Sequence, residues 1–235
     1  MPLHNGSLSL CKVAETLSDK LIIILLENFQ DSMSIKIRKT WLEKELPDVL
    51  IKTVKTKADY LTVQSSKLLL TEIYDQFPNS KIHLFGSETH LFKIAEQIST
   101  EFTILDPNRL GQNIHSDSIL FDPYGYWFDL PSTVRVSLVK RVVLVGPESV
   151  GKSSLAKKLS EFLQNSSYLP EYGRNYETFR KSGPYHSDEL LKISITHAAH
   201  RNALLPFSGP IFIEDTDEMI TSVWSEMLLQ RTLSE

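Results

Sequence analysis

Cysteine is nearly absent from this chain, and that excludes two classes of protein. Cys11 is the single cysteine among 235 residues, so no disulfide framework and no cysteine zinc site can be built within it, and a reducing compartment, the cytoplasm, is expected. Long apolar runs are missing as well. Leu21 to Leu26 is the longest, far too short to cross a bilayer. It also lies behind acidic Glu15 and Asp19, the wrong place for a signal-peptide core. Strong charge of either sign is lacking. A formal net charge of -4 argues against a nucleic-acid surface, and the short basic patches Lys36 to Lys39 and Lys52 to Lys57 read as solvated faces. Internal repeats and low-complexity segments are absent. What remains is an ordinary globular composition, 41% hydrophobic and 23% charged, in a length that suits one large or two modest domains.

The stretch from Val142 to Ser154 organises the rest. Val142-Val143-Leu144-Val145 predicts a buried strand, and after Ser154 the run Leu155-Ala156-Lys157-Lys158-Leu159 opens an amphipathic helix. Between them, Gly146-Pro147-Glu148-Ser149-Val150-Gly151-Lys152-Ser153 fits G-x-x-x-x-G-K-[ST], the phosphate-binding loop. Gly146 and Gly151 let the backbone curl round an anion where a side chain would clash. Successive N–H groups and the helix N-terminus direct positive charge at a β-phosphate. Lys152 reaches the β- and γ-phosphates, and the Ser153 hydroxyl is a ligand for Mg²⁺.

Ahead of this loop, apolar runs alternate with helical periodicity. Strands are expected at Leu21 to Leu26, Val49 to Val54, Lys81 to Phe85 and Phe102 to Leu105. Helices are expected at Leu8 to Leu17, at Ser34 to Leu46 (Ile37, Trp41 and Leu42 on one face), at Val63 to Phe77 (Leu68, Leu69, Ile73 and Phe77 at helical spacing) and at His90 to Ile98. Strands alternating with helices of this length predict a parallel α/β sheet, with ligands at the carboxyl ends of its strands. From Pro107 to Lys140 the pattern loosens at Asp122-Pro123 and Leu130-Pro131. A domain junction near Leu138 divides the chain into 1–137 and 138–235. After the loop helix come an extended piece at Ser167 to Leu169, helices at Tyr176 to Arg180 and Ser187 to Leu205, a strand at Pro210 to Ile213 and a last helix at Met219 to Gln230.

That last strand runs into Glu214-Asp215-Thr216-Asp217. Carboxylates ending an apolar strand downstream of a phosphate loop suit the acid that holds Mg²⁺ through water, with a second acid to take a proton from a substrate hydroxyl. Asp217 reads equally as the cap of the helix that follows. Glu171 and Arg174 flank a glycine where small-molecule kinases contact their acceptor, or else form a salt-bridged surface turn. His197 and His200 are three apart on a helix, with no third ligand at metal-binding spacing. His4, beside Asn5-Gly6 at a helix start, could meet an anion, or simply mark a chain terminus.

On these residues the chain resembles the NadR family over nearly its whole length. That family joins a nicotinamide mononucleotide adenylyltransferase to a ribosylnicotinamide kinase. Gly146 to Ser153 is similar to its G-x-E-S-x-G-K-S loop, and Glu171-Tyr172-Gly173-Arg174, His197-Ala198 and Asp215-Thr216-Asp217 follow in family order. The first half resembles an H-x-G-H nucleotidyltransferase through His4-Asn5-Gly6, Arg38, Trp41, Ser87-Glu88, Asp106-Pro107-Asn108-Arg109 and Asp122-Pro123 with Tyr126-Trp127. It departs where triphosphate would bind: Ser7 stands for the second histidine, and Leu120 for the arginine of a segment that here reads Ile114-His115-Ser116-Asp117-Ser118-Ile119-Leu120. The strand and glycine turn that precede the histidine motif in the family are absent ahead of Met1, and the family's later strands and basic lid do not follow. The resemblance therefore implies a degenerate, Rossmann-like nucleotidyltransferase half, with His4 and Gly6 as its remnants, and a short phosphate-loop kinase half.

The expected activity is ATP- and Mg²⁺-dependent phosphorylation of ribosylnicotinamide or a similar nucleoside, with Lys152 on the phosphates, Ser153 and Asp215 on the metal, Asp217 as base and Glu171 and Arg174 at the acceptor. A membrane is not expected as a partner, and a homo-oligomer is compatible with the sequence. The alternatives are a nucleotide-sensing regulator without turnover, and an incomplete copy of a bifunctional enzyme.

Overall fold

The computed structural model describes residues 2–28, 33–56, 62–88, 90–106 and 116–230. The protein is α/β, and every strand pairing among the described residues is parallel. It divides into two compact units, Met1–Val134 and Arg135–Glu235.

The first unit runs α1 (Asn5–Thr16), β1 (Ile22–Asn28), α2 (Ile35–Glu45), β2 (Leu50–Thr56), α3 (Val63–Gln76), β3 (His83–Gly86), α4 (His90–Gln97), β4 (Glu101–Ile104), α5 (Ser116–Phe121), a 3-10 turn (Trp127–Asp129) and the start of α6 (Ser132–Leu138). The alternation of strand and helix is the one the periodicity predicts. The hydrogen bonding differs, since the described strands form two ladders, β1–β2 and β3–β4. Helices α2 and α4 each connect strands that pair side by side, which a short crossover does readily. Side-chain packing also joins the two pairs: Leu69 of α3 and Ile94 of α4 are buried together against Ile24 and Leu26 of β1 and Val54 of β2.

Two helix faces are rotated from expectation. On α2, Trp41 and Leu42 are buried but Ile37 is exposed, and Arg38 is buried in its stead, donating from Nη2 to the carbonyl of Leu26 at 2.9 Å. That bond replaces the water a buried guanidinium would lose. On α3, Leu69 and Ser66 face inward and Leu68 is exposed, since neighbours in a helix point about 100° apart. The 107–140 region holds more order than its breakers suggest: Ile119, Trp127, Leu130 and Val134 are all buried. Helices of six or seven residues span under two turns and give too little periodicity to detect. Pro107, Asn108, Arg109, Ile114 and His115 lie outside the described residues, as does Lys57.

The second unit runs β5 (Lys140–Leu144), α7 (Lys152–Phe162), β6 (Ser166–Leu169), α8 (Tyr172–Glu177), α9 (Ser187–Leu204) and, after a 3-10 turn, β7 (Ile211–Asp215) and α10 (Glu218–Leu229). Its sheet has the order β5-β7-β6. The central strand is the last in sequence, and its Phe212 and Ile213 are wholly buried. Phe212 packs with Leu169, Leu205 and Val139. The strand before the glycine loop is expected to be buried, and the exposure of Val142 corrects this in part: among the described residues β5 pairs with β7 alone, while Val143 and Leu144 are half-buried. Helix α8 begins four residues earlier than expected. Gly173 is accommodated in its first turn, where the backbone bonds are not yet closed.

Gly209 marks the tightest approach in this unit. A Cβ there would collide with the backbone carbonyl of Asn165, in the turn between α7 and β6. Backbone cannot rotate away as a side chain can. Gly209→Ala should lower stability by about 1–3 kcal/mol, the range for overpacking, and an unchanged urea midpoint would contradict this contact.

Candidate functional site

The candidate site lies at the carboxyl ends of β5, β6 and β7. Register sets this: Leu144 of β5 pairs with Asp215, and Leu169 of β6 pairs with Glu214. The glycine loop, Glu171 and the acidic turn therefore leave the sheet at the same edge, the usual ligand side of a parallel sheet.

Between β5 and α7 the loop folds through three left-handed residues, Gly146 (φ 146°), Ser149 (φ 61°) and Gly151 (φ 93°). Such alternation turns N–H groups toward a common point, the geometry of an anion nest. Gly151 is the N-cap of α7 and has no side chain to satisfy the first N–H groups, which leaves them available to a ligand. The Lys152 ammonium donates to the carbonyls of Gly146 (3.0 Å) and Pro147 (2.7 Å), at the mouth of the loop. Pro147, Glu148, Ser149 and Val150 are exposed along its rim, with Ser154 just beyond it on α7.

Two buried oxygens at this edge lack a hydrogen-bond partner among the described residues: Ser153 Oγ and Asp215 Oδ1. Asp215 is 1% exposed. A buried carboxylate oxygen without a donor is costly, and a cation or bound water is what satisfies it. A hydroxyl and a carboxylate are hard oxygen donors of the kind Mg²⁺ takes, with its remaining positions filled by water and phosphate oxygens. The residues present fit that ion. No cluster of three or more His, Cys, Asp or Glu side chains among the described residues is arranged to hold a metal without such help.

After Asp215 the backbone turns through Thr216 at φ 68°. A β-branched residue there costs about 1–3 kcal/mol and persists only where its surroundings enforce it. The Thr216 N–H donates to the carbonyl of Leu144 (3.2 Å), tying the turn to the strand that enters the glycine loop. Asp217 then caps α10: its Oδ1 accepts from the N–H of Met219 (3.1 Å) and Ile220 (3.3 Å). Of the two functions weighed for Asp217, the cap is visible directly, through one of its two carboxylate oxygens.

Glu171 and Arg174 pair with each other at 3.0 Å across one turn of α8. This is the salt-bridged arrangement weighed against an acceptor site, and it stands beside the acidic strand. The hydrogen bond to Glu171 raises the Arg174 pKa above its ordinary value, and the charge of Asp215 adds to the shift. The Tyr168 hydroxyl, on β6, is raised as well, by burial first and then by Asp215. Tyr168 was not anticipated; a tyrosine in a four-residue strand gives no signal until the strands are placed.

The same is true of the charges behind the turn. Glu214 is wholly buried, with Arg141 of β5 on its Oε1 at 2.6 Å. Its Oε2 faces Arg201 of α9 at 3.5 Å and His197 Nε2 at 3.7 Å. Burial works against the Glu214 charge, but His197, Arg141 and Arg201 outweigh it and hold the carboxyl below the ordinary glutamate value. The stability this contributes is present above the ordinary value and is lost as pH falls through the lowered one. His200, three residues from His197, stands edge-on to Tyr172 at 5.3 Å between ring centres.

In the first unit, His4 is 4% exposed and is the N-cap of α1. Its Nδ1 accepts from the Ser7 N–H (3.3 Å), while Ser7 Oγ accepts from the His4 N–H (3.2 Å). Ser7 therefore closes a reciprocal capping pair with the histidine. Gly6 lies in the first turn of α1.

Comparison with known proteins gives three findings. Residues 141–235 match a family described as an AAA domain. The chain is 30% identical over 136 residues to the trifunctional NAD biosynthesis/regulator protein NadR of Salmonella typhimurium, and 29% identical to that of Escherichia coli K12. Each alignment covers 55% of this chain and 32% of the relative, so the chain spans about a third of the curated relatives it matches. Two solved structures share the fold at a TM-score of 0.64: a NadR protein in complex with NR (18% identity, 96% of this chain, 69% of that one) and one in complex with NAD and AMP-PNP (17% identity, 97% and 70%). The chain is thus homologous to NadR over the aligned span, and its second unit carries a phosphate-loop domain.

Proposed function

We propose that the second unit is a small-molecule kinase that transfers the γ-phosphoryl group of ATP to a nucleoside of the ribosylnicotinamide type, in NAD salvage. The observation that carries this is the pair of buried, unpartnered oxygens, Ser153 Oγ and Asp215 Oδ1, at the strand edge that holds a glycine loop. The names of the relatives, and the NR, NAD and AMP-PNP held by the two solved structures, support the class of ligand.

In this reading the loop N–H groups and Lys152 bind the phosphates and hold the γ-phosphoryl in line with the acceptor. Ser153 and Asp215 would hold Mg²⁺, which neutralises charge on the phosphate oxygens. Asp217, through the oxygen not used in capping, accepts the proton of the acceptor hydroxyl. Glu171 and Arg174 orient the acceptor. The domain limits would be 1–137 and 138–235. Residues 1–137 would be a nucleotidyltransferase-like half in which adenylyl transfer is impaired, because Ser7 and Leu120 cannot replace a histidine and an arginine at the phosphates.

No helix among the described residues is long and apolar enough to cross a membrane, which suits the cytoplasmic location we propose, with homo-oligomer formation open to test. One observation favours a second reading, a nucleotide-binding regulator without turnover: Asp217, Glu171 and Arg174 are all engaged in structural pairs. Purified protein incubated with ATP, Mg²⁺ and ribosylnicotinamide, followed by chromatography, separates the two. Formation of the mononucleotide is expected, and ATP binding without product would favour the regulator. In parallel, nicotinamide mononucleotide with ATP should give little or no NAD, and robust NAD formation would overturn the assignment of the first half.

A further inference from the structure

Several contacts meet at the acidic turn, and one of them spans it. Arg201 extends from α9 with its side chain 13% exposed. Its Nη1 donates to both oxygens of Glu218, at 2.5 and 2.7 Å, and reaches Glu214 Oε2 at 3.5 Å. Glu214 is the residue before Asp215, and Glu218 is the first residue of α10. A single guanidinium nitrogen therefore grips the chain on both sides of the left-handed Thr216. The other restraints hold single points: the Thr216 N–H on Leu144, the Asp217 cap on α10, and Arg141 and His197 on Glu214.

We propose that Arg201 is a positioning residue that keeps the Glu214–Glu218 turn in its strained form and so presents Asp215 at the glycine loop. This rests on the kinase reading above for its consequence in turnover, but not for its geometry. Strand β7 fixes Asp215 only at its very end, since the ladder with β5 stops at the Leu144–Asp215 pair. Beyond it the strained residue favours relaxation, and relaxation would turn the last strand residue with it. The face opposite Asp215 is where Glu214 meets Arg141, His197 and Arg201, since successive strand residues point to opposite sides. Arg201 thus acts on the phosphate side of the sheet from behind it, touching neither nucleotide nor acceptor. A fixed geometry is what it supplies, and displacement of a reacting group by about 1 Å costs on the order of 10²-fold in rate.

The test uses the full chain with Arg201→Met, which keeps length without charge, Arg201→Lys, which keeps charge without the planar fork, and Glu218→Gln, which weakens one half of the grip at a partly exposed residue. Amide hydrogen exchange is read at Thr216 and across the second unit. The expected result is exchange at Thr216 faster by roughly tenfold or more in Arg201→Met, with smaller increases in the other two and little change in the core of β7. Exchange unchanged at Thr216, or raised only in step with the whole unit, would overturn the proposal. Should Arg201→Met fail to fold, Glu218→Gln carries the same decision. A second readout is the gain in ADP affinity on adding Mg²⁺, expected to shrink in Arg201→Met while ADP binding without Mg²⁺ is kept; an unchanged gain also counts against Arg201. In the kinase assay kcat should fall about 10²-fold with KM for ATP little altered. If wild type itself neither binds ADP nor turns over, the kinase reading fails, and the exchange measurement still decides the grip.

Discussion

Lys152→Ala is expected to weaken ATP–Mg²⁺ binding by about 1.5–3 kcal/mol, the value of a charge-assisted hydrogen bond, or roughly ten- to a hundredfold in Kd. The side chain leaves α7 at its first residue and spans the loop to the carbonyls of Gly146 and Pro147. A terminal phosphate bound within the loop would exchange those carbonyls for a stronger, ionised acceptor. Removing the ammonium therefore takes away a phosphate contact and one tie across the loop. A thermal unfolding curve on the same variant separates these: the tie is partly exposed and should move Tm little. Isothermal calorimetry of wild type and variant is the measurement, and equal affinities would remove the glycine loop from the nucleotide site.

The second large effect concerns the acidic turn. Asp215→Asn should lower phosphoryl transfer by on the order of 10²–10³-fold, as expected when a preorganised charge beside the reacting phosphate is removed, and should flatten the Mg²⁺ dependence. Asp217→Asn should lower kcat by on the order of 10²–10⁴-fold with ATP binding nearly intact, the loss expected for a general base. The structure makes this second substitution clean. Asn caps a helix about as well as Asp, so the bonds to Met219 and Ile220 survive and the stability of α10 is a control, not a variable. Steady-state kinetics with ATP and ribosylnicotinamide, at several Mg²⁺ concentrations, distinguishes the two acids. If both variants run at the wild-type rate, Asp217 is a cap alone and the proton goes elsewhere.

The alternation of the longer strands and helices, the parallel α/β class and the glycine loop with its Lys152 and Ser153 were legible in the residues. Each of these is a local property: periodicity reveals an element, and G-x-x-x-x-G-K-S dictates its own backbone. Legibility declined where a residue's role depends on a neighbour distant in sequence. Val142 to Val145 has the composition of a buried strand, yet Val142 and Val145 are exposed among the described residues, because burial is set by what packs over a strand and not by its own side chains. Ile37 and Leu68 were assigned inward by spacing, but a helix's apolar stripe is fixed only when the sheet beneath it is known. Arg38 shows the converse, a charged residue buried because a strand carbonyl awaits it.

Sequence alone shows the glycine loop Gly146 to Ser153, because the pattern G-x-x-x-x-G-K-S is written within eight consecutive positions. Tertiary structure decided what surrounds it. Arg141, His197, Arg201 and Glu214 are spread across β5, α9 and β7, and nothing in their spacing joins them; parallel pairing and the packing of α9 on the sheet converge them behind Asp215. The left-handed Thr216, the cap on Asp217 and the unpartnered oxygens of Ser153 and Asp215 follow from the same convergence. A backbone adopts a strained angle, and a buried oxygen goes without a donor, only when many distant contacts together outweigh the local cost.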